Sequence, residues 1–275
     1  YEISACLVGS EMCIRDSEHT VPDNWFPQCA VFDCDGVLLD SETAWNRVQR
    51  ELFQQWGIPF TPDLEERLTG LSAHDVAAAL AEFTYAGDMT DTAAYSAHVQ
   101  ATLGELLEIE AQVISAGVEL IPGAQRFLGY LSEHMPVAVA SNSTAQILDV
   151  KMRTYGYAPL VRTWVSSEDV PHGKPAPDMY IEAARRLGCD PADALTVEDS
   201  AAGAQAARDA GTKVLIYVPD GDTASAPAGY GYFESFTDPA LWDAARIWVA
   251  ALEGARAAEG AHSPEDEPPL VEAHA

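Results

Sequence analysis

AVFDCDGVLLDSE, residues 30–42, is the stretch from which the rest of the chain is read. Ala30-Val31-Phe32 is a short apolar run that leads into Asp33 and Asp35. On a strand, side chains two apart share a face, so the two carboxylates point the same way for as long as the strand continues. Gly36 marks a turn, and Asp40-Ser41-Glu42 looks like a helix start. Unpaired buried charge is costly, so two acids at the carboxyl end of a strand suit a site better than a core. The plainer reading is a polar strand end facing water, and this stretch alone does not separate the two. Cys34, between the aspartates, falls on the opposite face and reads as core packing.

From Ser41 to Gly117 the pattern is helical. Trp45, Val48, Phe53 and Trp56 recur at helical spacing, and Gly57 ends that run. Thr61-Pro62 is a cap followed by proline at the first helical position. Ser72 with Asp75 has capping-box spacing. Thr90 to Ser115 is a long helix-compatible stretch interrupted by Gly104. After this block the texture changes. Strands are expected at 136–141, 161–166, 194–197 and 213–218, and helices start near Pro122, Ser143-Thr144, Asp178 and Ser200. Residues 219–237 read as loop, and Asp238 to about Ala258 as a final helix. Strands alternating with helices imply an α/β fold with a parallel sheet and right-handed crossovers.

The chain has 275 residues, enough for one large domain or two modest ones. It is 48% hydrophobic without a long apolar run, which fits a soluble globular protein and no membrane span. Fifteen basic against 43 acidic side chains give a formal charge of −28, which argues against nucleic acid as a partner. An anionic substrate would need local positive charge or a metal. Five cysteines without CxxC or zinc-ligand spacing suggest reduced thiols in a cytoplasmic protein. Residues 1–17 lack an initiating Met, and CLVGSEMCIRDS resembles translated sequencing-adapter sequence, so they are set aside as non-native.

In an open parallel sheet, ligands bind beyond the carboxyl ends of the strands. Polar groups follow four such ends: Asp33 and Asp35; Ser141-Asn142; Lys174, in the loop HGKPAPD; and Glu198-Asp199. Each has a duller explanation as a helix cap, a surface lysine or a solvated turn. Together they fit phosphoryl transfer to a carboxylate. Asp33 would attack phosphorus and form an aspartyl-phosphate. Two anions must meet, and Mg²⁺ held by Asp33, Asp199, Glu198 and the backbone carbonyl of Asp35 would screen them. Lys174 adds a positive point charge. The Ser141 hydroxyl and the backbone N–H groups around Asn142 would hold a phosphoryl oxygen. Asp35 would protonate the leaving oxygen and then deprotonate the attacking water. It must carry a proton in the first step despite a reference pKa of about 3.9, which an acid held off the metal and partly desolvated could do.

DCDGVLLDSE, VAVASNS, GKPAPD and VEDSAAG stand in this order, and the pattern resembles the haloacid dehalogenase superfamily of phosphatases and phosphomutases over about residues 29–253. The resemblance implies subfamily I architecture: a Rossmann-like doubly wound core at 28–41 and 119–255 and an inserted α-helical cap at 42–118. Residues 259–275, acidic and proline-rich, read as a disordered tail. The cap would hinge near Leu39–Glu42 and Glu119–Pro122. The metal-free dehalogenases lack the second aspartate, so Asp35 and the pair Glu198-Asp199 argue against them. β-Phosphoglucomutases carry a histidine and an arginine where this chain has Trp45 and Ala73. The expectation is a Mg²⁺-dependent phosphatase acting on a small phosphorylated metabolite such as a sugar phosphate. A phosphomutase and a non-catalytic phospho-ligand-binding module are the alternatives. Oligomeric state is not legible.

Overall fold

Every residue of β1 (Cys29–Phe32) is buried, because the strand lies in the middle of a sheet. Its neighbours are β2 (Val137–Ala140) and β4 (Ala194–Glu198), with Val31 opposite both Ala138 and Thr196. β3 (Thr163–Val165) pairs with β2, β5 (Lys213–Tyr217) with β4, and β6 (Gly231–Phe233) with β5. The order is β3-β2-β1-β4-β5-β6, and every pair is parallel. The direction of winding reverses between β1 and β4, where such folds open a crevice.

This computed structural model describes residues 25–41, 53–54, 56–68, 71 and 73–260. The N-terminal segment, most of the first expected helix with Trp45, the Ser72 capping box and residues 261–275 lie outside the described residues. Between β1 and β2 come α1 (Pro62–Leu68), α2 (Ala73–Thr84) and α3 (Thr92–Ala116), followed by α4 (Ala124–His134). Then α5 (Ala145–Thr154) follows β2, α6 (Asp178–Leu187) follows β3, α7 (Ala201–Asp209) follows β4 and α8 (Pro239–Gly260) follows β6. Thr61 caps α1 as expected, its hydroxyl accepting from the Leu64 N–H at 3.2 Å. Among the described residues no helix is long and apolar enough to cross a membrane.

Strand alternation sorts the core into two faces. Ala30, Phe32, Val137, Val139, Leu195, Val197 and Leu215 pack with α4, α5 and α8, whereas Val31, Ala138, Ala140, Ala194, Val214 and Ile216 pack with α6 and α7. The smaller side chains on the second face let α6 and α7 approach closely. Cys34 is fully buried in the first cluster, as its place between the aspartates suggests. The helical block has its own core of Phe53, Leu64, Leu68, Val76, Leu80 and Leu106.

Three local expectations are corrected. β6 lies inside the stretch read as loop, because a three-residue strand flanked by Gly229 and Tyr230 carries no alternation. Its place is set by the edge of β5, through Tyr230 N–H to Val214 O at 2.7 Å and Val218 N–H to Phe233 O at 2.9 Å. α3 runs unbroken through Gly104 and starts after Asp91, whose carboxylate accepts from Ala94 N–H at 3.0 Å. One glycine costs a long helix only about 1 kcal/mol, too little to end it. α4 begins at Ala124, two residues after Pro122, because Gly123 takes a left-handed conformation with φ 85°.

Phe127 is fully buried, edge-on to Phe32 at 6.3 Å and to Trp242 at 5.5 Å. Phe127→Ala is expected to lower unfolding free energy by about 3–5 kcal/mol, read as a lower urea midpoint at unchanged slope.

Candidate active site

The carboxyl edge of the sheet gathers the acids because β1 and β4 are neighbours. Asp33 follows β1, and its N–H still reaches Val197 O of β4 at 2.9 Å. Asp35 then enters a tight turn, in which Gly36 N–H bonds Leu39 O at 2.8 Å. Gly36 has φ 79°, and a Cβ there would lie 1.9 Å from Asp199 Oδ2. Only glycine lets the carboxylate that follows β4 sit against this turn. One oxygen from each of Asp33, Glu198 and Asp199 lies within 4.8 Å of the others.

Lys174 enters this acidic cluster from the loop after β3. Its Nζ donates to Asp33 Oδ1 at 2.6 Å and to Glu198 Oε1 at 2.7 Å, and it lies 5.2 Å from the centre of the Tyr180 ring. An ammonium has three N–H donors. One therefore has no acceptor among the described residues. Asn142 clamps the backbone of Lys174: its Oδ1 accepts from Lys174 N–H at 2.9 Å and its Nδ2 donates to Lys174 O at 3.2 Å. The Asn142 side chain is thus engaged, and its expected part in phosphate binding falls to its backbone.

Both oxygens of Glu198 are occupied. Oε1 also accepts from the Tyr180 hydroxyl, and Oε2 accepts from Ser200 Oγ at 3.2 Å and from Asp199 N–H at 3.1 Å. Asp33 Oδ1 accepts from Lys174 and from Cys34 N–H at 2.7 Å, while Oδ2 accepts nothing from the described residues. Burial and the charge of Glu198 push the Asp33 carboxyl well up, against the pull of Lys174. Three carboxylates face one ammonium, and oxygen donors in that excess match a hard divalent cation.

Asp35 belongs to a second network. Its Oδ1 accepts from Ser41 Oγ and from Lys151 Nζ at 2.8 Å, and its Oδ2 from Ser141 Oγ at 3.0 Å and Ser143 Oγ at 3.4 Å. The Ser141 proton therefore points at Asp35. Partial burial was expected to raise the Asp35 carboxyl. Burial does push it up, but the charge of Lys151 and hydrogen bonds from Lys151, Ser41 and Ser141 outweigh it and hold the group below its usual range. The expectation is corrected: in this arrangement Asp35 is a carboxylate.

Sequence reasoning missed Lys151, Ser143, Tyr180 and Glu110. Lys151 is 2% exposed and shares the inward face of α5 with Leu148 and Met152. Its place at i+3 from one core residue and next to another was the available signal.

The family model for haloacid dehalogenase-like hydrolase matches residues 27–211. The chain belongs to that family. It is 30% identical over 192 residues, 68% of its length, to the bifunctional riboflavin kinase/FMN phosphatase of Arabidopsis thaliana. It is 29% identical over 197 residues, 69% of its length, to (DL)-glycerol-3-phosphatase 1 of the same plant. It spans 47% of the first relative's length and 63% of the second's. Among solved structures, the β-phosphoglucomutase of Clostridium difficile superposes with a TM-score of 0.60 at 16% identity, covering 82% of this chain and 99% of that one. At that identity the likeness is one of fold.

Gly203, in the first turn of α7, tests the packing behind the site. Gly→Ala inside a helix ordinarily stabilises by about 0.5–1 kcal/mol. Here a Cβ would come 1.8 Å from Glu198 Oε1, which Lys174 and Tyr180 hold in place. Gly203→Ala is expected to destabilise by about 1–3 kcal/mol in denaturant unfolding, the opposite sign.

Proposed function

We propose that this chain is a Mg²⁺-dependent phosphatase that hydrolyses a small phosphomonoester through an aspartyl-phosphate on Asp33. The observation that carries the reading is Asp33 itself. One of its oxygens is fixed by a buried lysine and a backbone N–H, the other accepts nothing from the described residues, and two further carboxylates stand beside it. Both plant relatives are named for dephosphorylating small phosphorylated molecules.

Asp33 and Asp199, with the backbone carbonyl of Asp35, would hold Mg²⁺. When bound, the ion supplies the positive charge that lets one anion approach another. Glu198, with both oxygens engaged, serves better to aim Lys174 than to bind metal. Asp33 Oδ2 forms a bond to phosphorus as the ester P–O bond breaks. The free N–H of Lys174 and the backbone N–H groups at Asn142 and Ser143 take the phosphoryl oxygens. The leaving oxygen takes a proton from Asp35. A water then attacks phosphorus, gives its proton to Asp35, and the bond to Asp33 breaks to release phosphate. Asp35 accepts from Ser41, Lys151 and Ser141, while the single Ser143 hydrogen has a closer acceptor in Glu110 Oε1 at 3.0 Å, so Asp35 must lose at least one of its three donors before it takes up a proton.

The helical block, 42–118, is the proposed cap. Its two connections run side by side, with Asp40 N–H to Glu119 O at 2.8 Å and Ile121 N–H to Leu38 O at 3.1 Å. A paired double crossing can flex as one hinge, closing the block over the site and excluding water.

Phosphate release from a panel of phosphomonoesters tests the reading. Asp33→Asn is expected to lower kcat by at least about 10³-fold, and an active Asp33→Asn enzyme overturns the mechanism. Saturating Mg²⁺ is expected to raise Tm in the wild type and in Asp35→Asn but not in Asp199→Asn. Loss of that rise in Asp35→Asn would mean its carboxylate, not only its carbonyl, serves the ion.

A further inference from the structure

Lys151 has no part in the scheme above, yet it is almost wholly buried. Its three N–H groups go to Asp35 Oδ1 at 2.8 Å, Ser143 Oγ at 2.8 Å and Glu110 Oε1 at 3.2 Å. An ammonium has no fourth donor. Unlike Lys174, it has nothing to offer a phosphoryl oxygen while these contacts stand. A methionine would fill the same space on α5 without desolvating a charge, and a lysine there is tolerable only because two carboxylates meet it. Those carboxylates come from different parts of the fold. Asp35 sits in the turn after β1, and Glu110 lies on α3 in the helical block. Among the described residues, Lys151–Glu110 is the only ion pair that joins that block to the sheet side of the molecule. One helical turn beyond Glu110, Ile114 O accepts from the Tyr155 hydroxyl at 3.4 Å, so the contact belongs to the seat of α3 on α5.

We propose that Lys151 is a positioning residue for Asp35, and that by sharing its ammonium with Glu110 it links the placement of the acid–base carboxylate to the seating of α3. Asp35 and Glu110 draw on one cation. When α3 is seated, Glu110 takes part of the hold that Lys151 has on Asp35. When α3 withdraws, Lys151 serves Asp35 alone and holds it among the serines more tightly than in the seated state, where both contacts are present. The placement of the Asp35 carboxylate is thereby tied to the seating of α3. The effect on turnover rests on the phosphatase reading; the link between α3 and Asp35 does not.

Two measurements test this. Proton donation matters for an alkyl ester and little for p-nitrophenyl phosphate, whose leaving oxygen departs as a stable anion. Glu110→Gln leaves Lys151 to Asp35 alone and is expected to lower kcat/KM about tenfold for an alkyl phosphomonoester and less than about threefold for the aryl ester. In a Lys151→Met background, where the shared cation is gone, Glu110→Gln is expected to change neither ester further. Equal losses on both esters, or none, overturn the positioning role. Hydrogen exchange of the α3 amides tests the link without turnover. Asp35→Asn leaves Glu110 as the only carboxylate on Lys151 and is expected to slow that exchange about threefold, but not in a Lys151→Met background. An unchanged α3, or the same change with Lys151 absent, overturns the link. If the wild type cleaves neither ester, the phosphatase reading falls and the exchange result alone judges the link.

Discussion

A lysine ammonium almost wholly removed from water, between Asp33 and Glu198, is the constraint on which this molecule turns. Its hydrogen bonds are short, and its burial leaves no solvent to substitute for a missing partner. Removing one partner of such a pair typically costs about 3–5 kcal/mol, because an uncompensated charge stays behind. The requirement reaches into three separate stretches of chain. β1 must deliver Asp33, β4 must deliver Glu198, and the loop after β3 must carry Lys174 back across the edge of the sheet. The Asn142 clamp on the Lys174 backbone fixes where that loop returns. Tyr180, projecting from α6, completes the surroundings of Glu198.

Such crowding of charge is possible only where the backbone makes room. Gly36 and Gly203 are the two places where a single methyl group would collide with a carboxylate of the cluster. One bears on Asp199 from the front of the site, the other on Glu198 from behind. The two acids differ accordingly in what they can do. Glu198 is hemmed in and fully hydrogen-bonded, and it acts as a fixed charge. Asp199 lies at the mouth of the turn beside Asp33, where a carboxylate can still reach a ligand.

Much of this was legible in the sequence, and the reason is geometric. Buried parallel strands read as apolar runs, and polar residues just past their ends must share one edge of the sheet. Asp33, Asp35, Ser141, Lys174, Glu198 and Asp199 could therefore be placed together without coordinates. β6 could not, because three residues beside glycine carry no period. Nor could the direction in which Asp35 is pushed. Desolvation was the correct cause to name, but its opponent is Lys151, which lies 116 residues away in the chain. A lysine in the last turn of an amphipathic helix ordinarily snorkels to water. Only its register with Leu148 and Met152 marks it as inward-facing.

The two buried lysines show why position alone does not assign a role. Each lies beside one of the motif aspartates, and carboxylates push the affinity of each for its proton above the ordinary range against the opposing effect of burial. Their difference is in the count of committed donors. Lys174 spends two N–H groups on carboxylates, and its third has no acceptor among the described residues. Lys151 spends all three, one of them on a helix outside the sheet. The first arrangement suits a group that meets a ligand. The second suits a group that holds other groups in place, and it can release one of them only if another moves. The same side chain thus keeps a donor in one place and spends all three in the other, a difference set by how many acceptors the described residues bring to it.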